Sequence, residues 1–177
     1  MDGFGFAGLR PGEYAKARQR KPPLCDHGCF RTVFKNVRQI YYDLEVQPAT
    51  QLHIYRFKNR EQVAQNQPII NLALVHNWRY DEAYILIEPN GFFENSRNLE
   101  INWQNGSNPS QKGRLSFQAG NKATHFKFAV ELYEAITQNN NLFIRQQGRD
   151  FPILKDDRQR EAFRRTMVDY FKLIGVE

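Results

Sequence analysis

Two cysteines and a histidine lie within five residues of one another, at Cys25, His27 and Cys29. Thiolates and an imidazole bind Zn²⁺, but a structural zinc site takes four ligands and usually adds a second ligand pair from elsewhere in the chain. No further cysteine is present, and the other histidines are scattered. We therefore expect no bound metal. Two ordinary thiols, or a local disulfide in an exported protein, are the alternatives.

Acid–base chemistry would have to come from the three remaining histidines, His53, His76 and His125. Each falls in a segment with a strand pattern, where a single histidine is usually a hydrogen-bonded structural residue. The acidic residues form no paired-carboxylate motif. Cys25 as a nucleophile would need a positioned base and a third group that the sequence does not supply. We predict no catalytic residues, and so a protein that is not an enzyme.

A dinucleotide-binding spacing, G-x-G-x-x-G, occurs at Gly3, Gly5 and Gly8. In a nucleotide-binding fold this spacing follows a strand and opens a helix, so that the phosphates meet the helix N-terminus. Here it follows no predicted strand and precedes no convincing helix. We therefore predict no cofactor.

The positive charge is concentrated at the N-terminal end. Residues 1–38 carry eight basic and three acidic side chains, a net charge of +5, whereas the rest of the chain has a net charge of +1. Residues 1–24 have little periodic pattern and two consecutive prolines, so we predict an extended basic arm there and a single globular domain over residues 25–177. Charge placed in this way favours association rather than folding.

The arm is the predicted binding site. Its apolar and basic side chains are Phe4, Phe6, Leu9, Arg10, Lys16, Arg18, Arg20, Lys21, Arg31, Lys35 and Arg38. An extension of this kind can lie along a neighbouring subunit and become ordered on binding, and a mixed sheet can also offer an edge for strand addition. We predict a structural or interaction subunit that docks through the arm into a larger protein assembly.

Nucleic-acid binding is the alternative function. Besides the arm, the last predicted helix carries Arg158, Arg160, Arg164 and Arg165, which could contact phosphates. Acidic residues share that helix, however, so these arginines could equally form local ion pairs on a solvated face. No RRM, KH or helix-turn-helix signature is present.

No membrane span is expected, because the longest apolar runs are far shorter than the roughly 20 residues that a membrane helix needs. The first residues have no apolar segment behind a basic one, as a secretory signal would. An intracellular location is therefore favoured, and the compartment is otherwise unknown.

The middle of the chain has the patterns of β-strands. Apolar alternation predicts a strand over at least Arg38 to Val46, and another over Leu52 to Phe57. Continuous apolar runs at Ile69 to His76 and Ala83 to Ile87 predict central strands covered on both faces. Leu99 to Trp103 and Leu115 to Phe117 alternate again and predict a hairpin with a long polar loop.

The C-terminal third changes to helical periodicity. His125 to Phe128 is consistent with a strand, and a helical stripe then runs to Ile136. A short hairpin over residues 142–154 precedes the last helix, which begins after Asp156 and ends at Gly175. Its apolar face is Phe163, Met167, Tyr170, Phe171 and Ile174. We therefore predict an α+β fold with a largely antiparallel sheet or β-sandwich core and C-terminal helices.

Overall fold

The fold is α+β, as the sequence predicts: two antiparallel four-stranded sheets with two helices from the C-terminal half. The computed structural model describes residues 34–62, 67–93, 98–146 and 148–174. Two short helical turns open this part of the chain. They are a π-helical turn at Phe34–Arg38 and a 3₁₀ turn at Gln39–Tyr41.

Sheet 1 is a meander of four consecutive strands in the order β1-β2-β3-β4. The strands are β1 (Tyr42–Gln47), β2 (Leu52–Phe57), β3 (Ile70–Asn77) and β4 (Glu82–Pro89). The first strand starts later than the sequence predicts, because Arg38 to Tyr41 belong to the two turns. β1 and β4 are the two edges of the sheet, so the prediction of a central strand at Ala83 to Ile87 is wrong: its apolar run is covered by a helix and not by a further strand.

Sheet 2 has the order β6-β5-β7-β8. Its strands are β5 (Asn98–Asn105), β6 (Lys112–Gln118), β7 (Asn140–Gln146) and β8 (Arg149–Ile153). β5 and β6 form the predicted hairpin with its polar loop, and β7 and β8 form the second hairpin. The crossover from β6 to β7 contains the first helix.

This helix, α1 (Lys122–Thr137), occupies the centre of the domain. The Asn121 side chain accepts hydrogen bonds from the backbone N–H groups of Ala123 and Thr124, which fixes the first turn. His125 to Phe128 is therefore helical and not a strand, because the Asn121 cap starts the helix before these residues. The buried side chains of α1 form one broad face, and Lys127, Glu131 and Glu134 lie on the remaining side. The buried side chains are Phe128, Ala129, Val130, Leu132, Tyr133, Ala135 and Ile136.

The second helix, α2 (Asp157–Leu173), begins and packs as the sequence predicts. The Asp156 carboxylate accepts a hydrogen bond from the Gln159 N–H at 2.8 Å. The predicted apolar face lies in the core with both sheets and α1, although Ile174 is only partly buried. Gly175 lies outside the described residues.

The two faces of sheet 1 are covered differently. One face packs against the helices in the main core, which also includes residues of sheet 2. On the other face Ile54, Ala73 and Val75 form a small separate cluster, bordered by Leu52, Tyr84 and Leu86. The central strand β3 is thus buried on both faces, which explains its continuous apolar run.

Phe171 tests the packing of α2. Its ring is 3% exposed and lies edge-on to Tyr133 at 5.7 Å. We expect Phe171→Ala to lower the free energy of unfolding by about 3–5 kcal/mol, because the cavity is enclosed by a packed core. Denaturant unfolding measures this change. The exposed Lys172→Ala is the control, and a Phe171→Ala variant as stable as that control would contradict the packing.

Candidate docking surface beside the N-terminal arm

Most of the predicted docking residues precede the described part of the chain. Phe4, Phe6, Leu9, Arg10, Lys16, Arg18, Arg20, Lys21 and Arg31 lie outside the described residues, as do Cys25, His27, Cys29 and the glycine motif. Lys35 lies in the π-helical turn, but its side chain is not among those described. Arg38 ends that turn. The docking role of the arm stays a prediction, and Arg38 is the predicted docking residue whose side chain the structure describes.

Arg38 is bound to the body by an ion pair with Asp169 of α2. The Arg38 Nε and Nη2 atoms donate to the two carboxylate oxygens at 2.9 and 3.0 Å, and the Tyr42 hydroxyl donates to one of them at 2.7 Å. Asp169 is 2% exposed, so its charge depends on these partners. This network holds Arg38 and Tyr42, the first residue of β1, against the last helix.

The network also changes how its members titrate. The hydrogen bond from Arg38 to the Asp169 carboxylate raises the pKa of the Arg38 guanidinium. Burial raises the pKa of Tyr42, and the neighbouring Asp169 charge raises it further. Arg38 therefore stays cationic and Tyr42 stays a hydroxyl donor at every pH at which the fold is expected to persist.

Exposed apolar side chains are concentrated beside this network. Within the described residues, the large apolar side chains with high exposure are Val37, Ile40, Tyr41, Leu44, Val46, Trp78 and Tyr80. Five of these seven lie between residues 37 and 46. They lie on the segment around Arg38, the last of the predicted docking residues, and we call these five residues the junction surface. Apolar groups clustered in this way mark an interaction site more often than scattered ones do.

The outer edge of β1 also presents backbone groups. The Lys58 N–H donates to the Tyr41 carbonyl at 2.9 Å, which sets the alternation of hydrogen-bonded pairs along β1 and β2. By this alternation the backbone groups of Tyr42, Leu44 and Val46 point away from β2. In the described residues, β1 pairs with β2 alone.

The opposite edge of sheet 1 is covered. Helix α1 lies along β4, and the Ile87 N–H donates to Nδ1 of His125 at 3.1 Å. Lys122 at the start of the helix pairs with Glu82 and lies over the Tyr84 ring. A covered edge cannot recruit a further strand. The two edges of the sheet therefore differ in accessibility.

Two of the three described histidines are neighbours on sheet 1. His53 and His76 are opposite each other on β2 and β3, with ring centroids 6.2 Å apart. His76 contacts Asp81 at 3.3 Å, and the Asp81 side chain is 62% exposed. The adjacent cavity is apolar, lined by residues such as Phe34, Leu74 and Leu173. Among the described residues no three His, Cys, Asp or Glu side chains are placed to hold a metal.

The arginines of α2 are engaged within the domain. Arg160 is 8% exposed, and its guanidinium donates to the carbonyls of Leu154 and Asn140. Arg164 and Arg165 both form ion pairs with Glu161. Arg158 donates to the Asn59 carbonyl. The alternative nucleic-acid function therefore depends mainly on the arm.

Comparison with protein-family models, with curated proteins and with solved structures finds no match to this chain. Neither of the two described helices is long and apolar enough to span a membrane. The interpretation of the docking surface thus depends on its own geometry.

Sequence reasoning missed two features of this surface. The alternation of Ile40, Tyr42, Leu44 and Val46 predicts a buried face, yet only Tyr42 is buried. Alternation indicates which side chains share a face and not whether the face is covered. The contact between Arg38 and Asp169 spans 131 residues of sequence, and a pattern within either segment carries no signal for it.

We expect Asp169→Ala to be destabilising. Removing the carboxylate leaves the buried Tyr42 hydroxyl and the Arg38 charge, whose side chain is 27% exposed, without this partner, which we expect to cost about 1–3 kcal/mol of unfolding free energy. Denaturant unfolding measures the loss. The control is Asp150→Ala, which breaks a surface pair with Arg145 of similar bidentate geometry and should change stability little. Equal effects of the two variants would contradict a structural role for the network.

His125 predicts a pH dependence of stability. Its Nδ1 accepts the Ile87 N–H, so the ring must be neutral, and burial lowers the pKa of His125. The contribution is complete above the ordinary histidine pKa of about 6.5 and is lost as the pH falls through the lower pKa of the folded state. In His125→Asn an amide oxygen can accept the same N–H without titrating. We expect its Tm to fall less than that of the unmodified protein between pH 7.5 and 5.0, and parallel curves would contradict this role.

Proposed function

We propose that this protein is a non-enzymatic interaction subunit that attaches to a larger assembly through its basic N-terminal arm. The observation that carries the proposal is the junction surface. Five exposed apolar side chains lie between residues 37 and 46, on a segment held in place by Arg38 and Asp169. A fixed apolar surface next to a basic extension suits a protein partner with an apolar site and an acidic rim.

The two parts of this surface have different roles. The arm supplies positive charge, which accelerates encounter with an acidic partner and makes binding sensitive to salt. Arg38 contributes less to this charge, because Asp169 neutralises it within the domain. The apolar side chains supply the area that is buried on binding, which determines how long the complex lasts.

Nucleic acid is the second candidate partner, and the concentration of positive charge on the arm favours it. Its binding would follow a steep salt law: the log–log slope is about 0.9 per neutralised phosphate on duplex DNA, so five contacts give a slope of about 4–5. A protein partner that also buries Val37 or Ile40 should show a shallower slope.

Affinity purification from the native source tests the proposal. We expect deletion of residues 1–24 to leave the body folded, because the described residues already form a hydrophobic core among themselves, and to abolish association with the partner. Half of each sample is treated with nuclease. Loss of partners after nuclease would favour nucleic acid, and identical partners with and without the arm would refute the docking role.

A charge-matched pair of variants separates arm charge from total charge. One variant carries Arg18→Gln, Arg20→Gln and Lys21→Gln. The other carries Lys112→Gln, Arg114→Gln and Arg145→Gln, which removes the same charge from exposed positions on sheet 2. We expect the first to weaken partner binding and to reduce its salt dependence, while the second binds as the unmodified chain does.

A further inference from the structure

We propose that the outer edge of β1 is a strand-addition site for an extended protein segment whose side chains alternate between apolar and basic. This site is distinct from the arm, and it stands whether or not the arm binds a partner. The incoming segment would lie antiparallel to β1, because the whole of sheet 1 is antiparallel and such pairing is the more stable per residue.

The backbone of β1 supplies the hydrogen bonds. The N–H and C=O groups of Leu44 and Val46 point away from β2, as the pairing of Lys58 with Tyr41 requires. Main-chain pairing of this kind provides affinity in strand addition, and the alternating side chains provide specificity. Among the described residues, nothing covers this edge in the way that α1 covers β4.

One face of the edge requires apolar partners. Leu44 and Val46 lie on the same face as Tyr42 and are 41% and 51% exposed. Residues of an added strand directly opposite them would stand about 5 Å away and pack against them. Branched apolar side chains at alternate positions would cover both.

The other face requires basic partners. Asp43 and Glu45 are paired with Arg60 and Arg56. The carboxylate side chains are 51% and 46% exposed, whereas those of the two arginines are 18% and 25% exposed. The two carboxylates are therefore more exposed than the two arginines, and a basic side chain on the incoming strand would meet them. The exposed Lys58 of the same face donates to the Ile40 carbonyl at 2.7 Å.

A second copy of this chain fits the middle of the edge poorly. Two-fold pairing of β1 with itself centred on Leu44 puts Asp43 opposite Glu45 of the other copy. Centring the pair on Asp43 or on Glu45 puts that carboxylate opposite itself. Like charges directly opposite each other are destabilising. Nucleic acid would meet the same two carboxylates, so a basic and apolar protein segment is the occupant that fits.

The probe is a fluorescent heptapeptide, Lys-Val-Arg-Val-Lys-Val-Arg, titrated into the full-length protein. In the antiparallel register the valines face Leu44 and Val46, so their N–H groups point at β1 and those of the basic residues point away. N-methylation of the basic residues should preserve binding and also block self-association of the peptide. N-methylation of the valines should abolish binding. Equal binding of the two methylated peptides would overturn the proposal.

Two variants of the protein test how much the Asp43 and Glu45 charges contribute to peptide binding. Asp43→Asn combined with Glu45→Gln keeps hydrogen-bonding groups at both positions, and we expect it to bind the peptide about tenfold more weakly. Glu100→Gln, an exposed carboxylate of β5, is the matched control and should bind normally. Unchanged binding by the double variant, with its Tm also unchanged, would overturn the assignment of a basic partner.

Amide exchange locates the peptide. On binding, the Leu44 and Val46 amides should become protected by about tenfold or more, while the Glu45 amide, already directed at β2, should change little. Protection elsewhere without protection at Leu44 and Val46 would overturn the site. So would failure of the unmodified peptide to bind the full chain, which is the result expected if another segment of this chain already covers the edge.

Discussion

The rest of the structure depends on the burial of α1 against both sheets. Its buried side chains, from Phe128 to Ile136, cover more than half of the helix circumference, and the side of Lys127, Glu131 and Glu134 is the less buried one. Strand β4, strands β6 and β7, and helix α2 provide the enclosure. The two sheets share no strand, yet they belong to one hydrophobic core because both pack on this helix.

This arrangement makes the two edges of sheet 1 unequal. Helix α1 reaches β4 and covers it, with His125 accepting the Ile87 N–H. It does not reach β1 at the far side of the meander, which is held instead by Asp169 of α2 and by packing of Phe34 on Tyr42 and Tyr55. The start of β1, which no other described strand or helix covers at its outer edge, is therefore held in place at Tyr42. A partner that binds a fixed strand loses less conformational entropy on binding.

Local sequence patterns predicted where the helices and strands lie better than they predicted which side chains are buried or paired. Alternation located β5 and β6, and the carboxylate cap and apolar stripe located α2, because these signals are complete within one segment. Two predictions failed where a non-local or competing cause acted: Asn121 starts α1 early enough to make His125 helical, and Arg38 leaves the strand pattern to reach Asp169. The exposure of Leu44 and Val46 was likewise not predictable, since a strand pattern does not say whether the strand lies at an edge.

The charges on the arm and on β1 have opposite signs, and this limits how a partner can bind. The arm has an excess of basic side chains, whereas Asp43 and Glu45 stand at the edge that follows it. A partner surface that engages both must be acidic where it meets the arm and basic where it meets the edge. Reversing the partner would place like charges together at both contacts, which costs several kcal/mol in well-matched interfaces. In a complex that used both segments, their order along the chain would therefore set the orientation of the partner, while the neighbouring apolar side chains would supply buried area that does not depend on orientation.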